Sequence, residues 1–277
     1  MNRKWGIAMV IGITRPAHER EWNSLLKKEE RLLRQRLAEG PGLLTSALEG
    51  KIPPKLDDTL TLAFSKAFSL VFSKGASIIE KTHSKEALSQ EFQDAWKAAK
   101  EEGSRASLRR VSRGADRSAA RHVLLAGAEG SLLGLLGFGL PDIPLFSGLL
   151  LRNLHEIALS YGFSYDTPTE RLFILRVIEV SLLRGEAYQR ENALLSQWID
   201  TRTAPVCTEK EQISKTAAAL AQHLLYLKFI QGIPLIGIVG GVSDGFCLHR
   251  VSHYARMKYK RRFLKQGKVS LISTKLD

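Results

Sequence analysis

Apolar residues recur at helical spacing along most of the chain, and no stretch alternates apolar and polar residues as a half-buried strand would. That restricts the fold to an all-α class, with core stripes set by the 3.6-residue turn. Two helix starts are written into the sequence. In TPTE, Thr167 is placed as an N-cap, Pro168 as the first helical residue, and Glu170 where a capping box needs it; in TEKE, Thr208 and Glu211 repeat the box. The helix after Thr167 carries LFILRVIEVSLL, apolar almost all round, which predicts a central position. The helix after Thr208 puts Ile213, Ala217, Leu220, Leu224 and Leu227 on one stripe. Upstream, the pattern predicts a charged helix over 17–37, ended by EGPGL. A second is predicted over 59–82, with KIPPKLDD supplying prolines and aspartate N-caps at its start, and a third over 85–101 with Ser84 as its N-cap.

Two stretches depart from this amphipathic pattern. From His122 to Leu151 the only charged side chains are Glu129 and Asp142, and from Phe229 to Leu248 the only one is Asp244. Each is broken by a Gly/Pro turn, GLPDIP in one and QGIPLIG in the other, so neither offers the ~20 uninterrupted apolar residues of a simple span. The expectation is a single helical domain with two Gly/Pro-rich apolar hairpins packed at its centre. Gly130 and Gly134, and again Gly237, Gly241 and Gly245, are four residues apart, a spacing that clears one helix face for close approach of another backbone. That spacing serves a tight crossing in a protein core or a hairpin dipping into lipid equally well. Asp142, between Pro141 and Pro144, reads first as the N-cap of a helix starting near Ile143.

Charge brings in the partner. Lys and Arg number 41 against 28 Asp and Glu, a formal net charge of +13, which favours an anionic partner. Arg105, Arg109, Arg113, Arg117 and Arg121 run at four-residue intervals into the first apolar stretch. After the second come Arg250, Arg256, Lys258, Lys260, Arg261, Arg262, Lys265 and Lys268, with no acidic residue among them and with Tyr254, Tyr259 and Phe263 interleaved. Basic rows beside apolar hairpins suit an anionic lipid surface, at about 1 kcal/mol per cation near the headgroups. Nucleic acid ranks behind, because apolar hairpins have no role in binding it.

Acid–base candidates do not assemble into a known catalytic pattern. Asp142, His155 and Glu156 are the best set for a hydrolase-like alternative, in or beside the apolar part. His249 and His253 have the i, i+4 spacing that metals use, but no third ligand is apparent; no metal and no cofactor is expected. Two widely spaced cysteines, Cys207 and Cys247, argue against a disulfide framework and for a reducing compartment. Residues 1–16 have a positive start and a short apolar run but no A-x-A site, and are expected to be an N-terminal extension outside the core.

The block GFGLPDIPLFSGLLLRNLHEIALSYGFSYDTPTERLFIL resembles the central signature of the EcsC family, as do KIPPKLDD upstream and IPLIGIVGGVSDGFCLHRVSHYARMKYKRRFL downstream. The resemblance runs from about Trp22 to Leu264, through Gly139, Pro141, Asp142, Glu156, Tyr161, Gly162 and Arg171, then Gly237, Gly241 and Arg262. It departs at Asp244, where an uncharged amide is commoner. The resemblance implies one helical domain over 17–265, followed by a tail over 266–277, in a bacterial protein connected with a transporter or secretion system. It carries no catalytic residues. The function expected is a non-enzymatic protein, cytoplasmic and peripheral to the inner face of the membrane.

Overall fold

The computed structural model of the chain describes residues 15–39, 54–74, 85–116, 143–230 and 240–273. Among these, all regular structure is helical: α1 (Arg15–Ala38), α2 (Pro54–Lys74), α3 (Lys85–Glu102), α4 (105–116), α5 (Ile143–Ser160), α6 (Pro168–Leu182), α7 (Gly185–Thr201), α8 (Glu209–Ile230) and α9 (Gly240–Ser273). No helix of the described residues is long and apolar enough to cross a membrane.

Local chemistry sets the boundaries. Thr167 Oγ1 accepts from the Glu170 N–H at 3.2 Å, and Pro168 opens α6. At α8 the box is complete: Thr208 Oγ1 accepts from Glu211 N–H, and Glu211 Oε2 accepts from Thr208 N–H at 2.8 Å. Ser104 caps α4 in the same way, accepting from Ser107 N–H at 3.1 Å. Helix α2 starts earlier than the sequence predicts, at Pro54, so Asp57 lies inside its first turn and is not an N-cap. Proline has no N–H to leave unpaired, and its fixed φ suits the first helical position. Helix α9 continues through Ser273, past the end expected for the domain at 265.

Helix α5 ends in a Schellman motif: the Phe163 N–H donates to Ala158 O and the Gly162 N–H to Leu159 O, each at 2.9 Å. Gly162 sits at φ +78°, and a Cβ there would lie 2.4 Å from the Phe92 ring, so both backbone and packing require glycine. Gly245 is different. A Cβ there would meet nothing within 4 Å, so it marks no close crossing with the described elements.

The core is built around α6 and α9. Every residue from Phe173 to Leu182 is buried, as the all-round apolar pattern predicts, and Ile213, Ala217, Leu220 and Leu224 bury the stripe of α8 against it. Cross-helix contacts fix the directions. Helix α1 runs antiparallel to α9, from His18 at Leu264 O to Glu39 at Arg250. Helix α6 is antiparallel to α9 as well, through Glu170–Arg262 and Ser181–Arg250. Helix α5 runs parallel to α9, with Asn153 on Ser252 and Tyr161 on Phe263. Leu56 and Leu60 of α2 and Ala221 and Leu225 of α8 gather at Ile143. Consequently α1 and α8 end, and α2, α5 and α9 begin, at one pole of the bundle. Helix α4 also heads towards it, passing Lys260 near Arg109 and Arg256 at Asp116.

Candidate functional site

The basic rows are held by carboxylates of the protein itself. Glu21 of α1, 2% exposed, accepts from Arg105, from Arg109 Nε at 2.9 Å and from Lys260 Nζ at 2.8 Å. Burial alone would raise its pKa; Lys260, Arg105 and Arg109 outweigh that and bring it down to about 2. Glu29 takes Lys258 at 2.9 Å and Arg261 at 2.6 Å, and Lys258 also donates to Ser196 Oγ at 2.9 Å. Asp200 accepts from Arg261 at 2.6 Å and Lys265 at 3.3 Å. Glu170 receives both Nη groups of Arg262, at 2.7 and 2.8 Å, and the Tyr259 hydroxyl at 2.7 Å. Arg256 pairs with Asp116. The Arg262 guanidinium also lies 4.1 Å from the ring centres of Phe163 and Phe173. These cations therefore tie α9 to α1, α4, α6 and α7. Arg113 is exposed, and Arg117 and Arg121 lie outside the described residues.

A second charged cluster sits at the pole, and sequence spacing does not assemble it. Arg250 Nη1 and Arg36 Nη1 both reach Glu39 Oε2, at 2.9 and 3.0 Å, and Arg184 Nε lies 3.9 Å from the same oxygen. Arg250 is held further by Nε donating to Ser181 O at 2.8 Å and Nη2 donating to Leu183 O at 3.1 Å, the carbonyls that α6 leaves open at its end. Burial, then the neighbouring Arg36, lowers its pKa to about 10. His223 of α8 is buried close by: desolvation first, then Arg250, Arg184 and Arg36, hold its pKa well below the usual histidine value. Only the i, i+3 pair Arg36–Glu39 was visible as a local signal.

Of the acid–base alternative, the described residues include His155 and Glu156. His155 is buried and stacks on Tyr165, ring centres 4.0 Å apart, while the adjacent Glu156 turns to Arg152 Nε at 3.2 Å. Asp142 lies outside the described residues, as do Gly139, Pro141, Gly237 and Ser84. Pro144 is in the first turn of α5 and Gly241 in that of α9; Tyr161 is buried beside Gly162. His249 and His253 stack with ring centres 6.4 Å apart, and no group of three metal-ligating side chains occurs among the described residues. A cavity of about 220 Å³ opens where α6 begins and α7 ends, lined by Thr169, Glu170, Phe173, Trp198, Arg202 and Arg262. The Glu170–Arg262 pair on its wall is already mutually satisfied.

Two curated relatives match part of the chain. The chain is 26% identical over 125 residues to the "Uncharacterized protein YdbA" of Bacillus subtilis (strain 168), covering 44% of this chain and 45% of the relative. It is 24% identical over 147 residues to "Protein EcsC" of the same organism, covering 51% and 59%. The chain spans about half the length of the curated relatives it matches. No solved structure matches it. The family match is far more extensive, running over residues 17–264 from the start of α1 to the body of α9, and the chain therefore belongs to the EcsC protein family.

Proposed function

We propose that this is a non-enzymatic protein that docks peripherally on the cytoplasmic face of a membrane, through the pole at which α9 begins. One observation carries the reading: the two most apolar stretches of the sequence join helices whose ends gather at that pole. Residues 117–142 lead from α4 to α5, and residues 231–239 from α8 to α9. Leu145 and Phe246, in the opening turns of α5 and α9, are 49% and 59% exposed there. Exposed apolar side chains beside two apolar connecting stretches support a face that is covered in use.

The charged part of the reading changes with the geometry. Cations such as Lys260 and Arg262, already neutralised by buried carboxylates, offer little to a headgroup. The attraction shifts to residues with no internal carboxylate, of which exposed Arg113 is the described example. The partners in this reading are anionic lipid and a transporter or secretion component embedded in it.

Flotation on vesicles tests the proposal. The protein is expected to rise with phosphatidylglycerol-containing vesicles, and less so at high salt, because exposed charges are screened. Leu135→Glu and Leu235→Glu are each expected to abolish flotation while leaving helical circular dichroism unchanged. Equal recovery with and without vesicles would sink the idea.

A further inference from the structure

The cavity between the start of α6 and the end of α7 is lined by two kinds of chemistry. Its buried lining residues Phe173, Trp198 and Ile199 are apolar, and the first two rings meet edge to face at 5.3 Å. Thr169 and Arg202, which also line it, are exposed, and Lys265 is half-buried. The volume of about 220 Å³ equals roughly seven waters, too small for a nucleotide or a full acyl chain. The internal ion pairs leave one wall cation over. Glu170 is taken by Arg262, and Asp200 by Arg261 and Lys265, so the Arg202 guanidinium has no partner among the described residues. Arg202 is also the only non-glycine residue among them at positive φ. It caps the end of α7 at φ +61°, its N–H donating to Trp198 O. Glycine is the usual residue at a left-handed helix end, and a side chain there is retained at a conformational cost. The chain thus accepts strain to hold a cation beside a hollow with an apolar floor. Nearby, Thr167 takes the Glu170 and Arg171 N–H groups and Pro168 has none, so the Thr169 N–H lacks an intrahelical partner.

We propose that this cavity binds a small organic carboxylate, its apolar body against Phe173, Trp198 and Ile199 and its charged end met by Arg202. A guanidinium fork matches the two oxygens of a carboxylate in plane and spacing. The Lys265 ammonium, shared with Asp200, adds positive charge on the same wall, and the Thr169 hydroxyl and N–H add donors. Glu170 repels little, because both Nη groups of Arg262 and the Tyr259 hydroxyl hold it. The apolar floor favours an anion with a carbon body over an inorganic one, since covering that floor removes apolar surface from water. The site goes beyond the membrane reading and does not rest on it. Helix α6 is antiparallel to α9, so the cavity beside Arg262 lies ~18 Å along α9 from Arg250 and the docking pole.

The test uses the full chain as wild type, Arg202→Gln and Arg202→Gly. The probe is benzoate, with benzamide as its neutral isostere and inorganic phosphate as an anion without an apolar body. Ligand titrations followed by saturation-transfer NMR should show saturable benzoate binding to wild type, about tenfold tighter than benzamide or phosphate. Both variants should weaken benzoate about tenfold, the loss of one charge-assisted contact. Only Arg202→Gly should also shift the urea unfolding equilibrium about fivefold towards the folded state, because glycine relieves the left-handed backbone. A protein that binds less while being more stable has lost the contact and not the fold. Absence of saturable benzoate binding overturns the proposal, as does benzamide binding equally well or benzoate binding unchanged in Arg202→Gln. Phosphate binding more tightly than benzoate overturns it too, since the apolar floor would then have no part. Leu235→Glu should lose flotation yet still bind benzoate, so failure of the membrane reading and failure of this site are told apart.

Discussion

The two halves of α9 carry cations at different density, Arg250 and Arg256 in 240–256 against six Lys and Arg in 257–273, and treat them differently. In the C-terminal half, Lys258, Lys260, Arg261 and Arg262 meet Glu29, Glu21, Asp200 and Glu170, carboxylates delivered by α1, α6 and α7. In the N-terminal half, Arg250 shares the single carboxylate of Glu39 with Arg36 and Arg184. The first set is closed, and its charge has become interhelical structure. The second is shared, three guanidinium groups bearing on one carboxylate oxygen. A net charge of +13 read from composition does not distinguish the two arrangements.

The sharpest way to break the closed half is Glu170→Gln. Its carboxylate is 7% exposed and holds both Arg262 Nη groups and the Tyr259 hydroxyl. Removing one partner of a buried pair leaves the other charge uncompensated, so a loss of about 3–5 kcal/mol in urea unfolding is expected. The aromatic rings around Arg262 soften that loss without replacing the carboxylate. A loss below about 1 kcal/mol would mean that these pairs are surface decoration.

The same residue shows what sequence reading reaches and what it misses. TPTE and TEKE are the same local pattern, and both open helices where expected. At Thr208 the glutamate closes its own box, whereas at Thr167 Glu170 leaves the box half made and crosses to Arg262, 92 positions away. Local rules give helix starts and the α8 stripe, because each depends on residues within a few positions. The partners of the basic rows are separated from them by 61 to 239 positions, so periodicity could not display them. Without those partners the rows look like free positive surface. The pole cluster was hidden for a related reason. Its arginines come from α1, the α6–α7 junction and α9, and no capping signal announces α7.

Acid provides the next test of the closed half. Glu21 has its pKa brought down to about 2 in the folded protein, against 4.5 for an ordinary glutamate. A folded-state pKa below the unfolded one gives stability that is fully present above pH ~4.5 and lost as pH falls towards ~2. The contribution at neutral pH is roughly 2–3 kcal/mol, since Arg105 and Arg109 are partly solvated. Thermal melting between those pH values should therefore fall more steeply in wild type than in Glu21→Gln, whose starting stability is lower. Parallel pH profiles for the two proteins would show that Glu21 is not the group responsible.

The smallest effect is expected in the N-terminal half. Glu39 is 28% exposed and at the end of α1, so Glu39→Gln should lower stability by only about 1 kcal/mol. Salt sharpens the contrast with the C-terminal half, because ion pairs near the surface are screened and buried ones are screened much less. Raising the chloride concentration should therefore narrow the gap in melting temperature between wild type and Glu39→Gln, and leave the gap for Glu170→Gln, whose carboxylate is 7% exposed, nearly unchanged. Equal narrowing in the two variants would erase the distinction between the two halves of α9, since it would place both carboxylates in the same degree of contact with solvent.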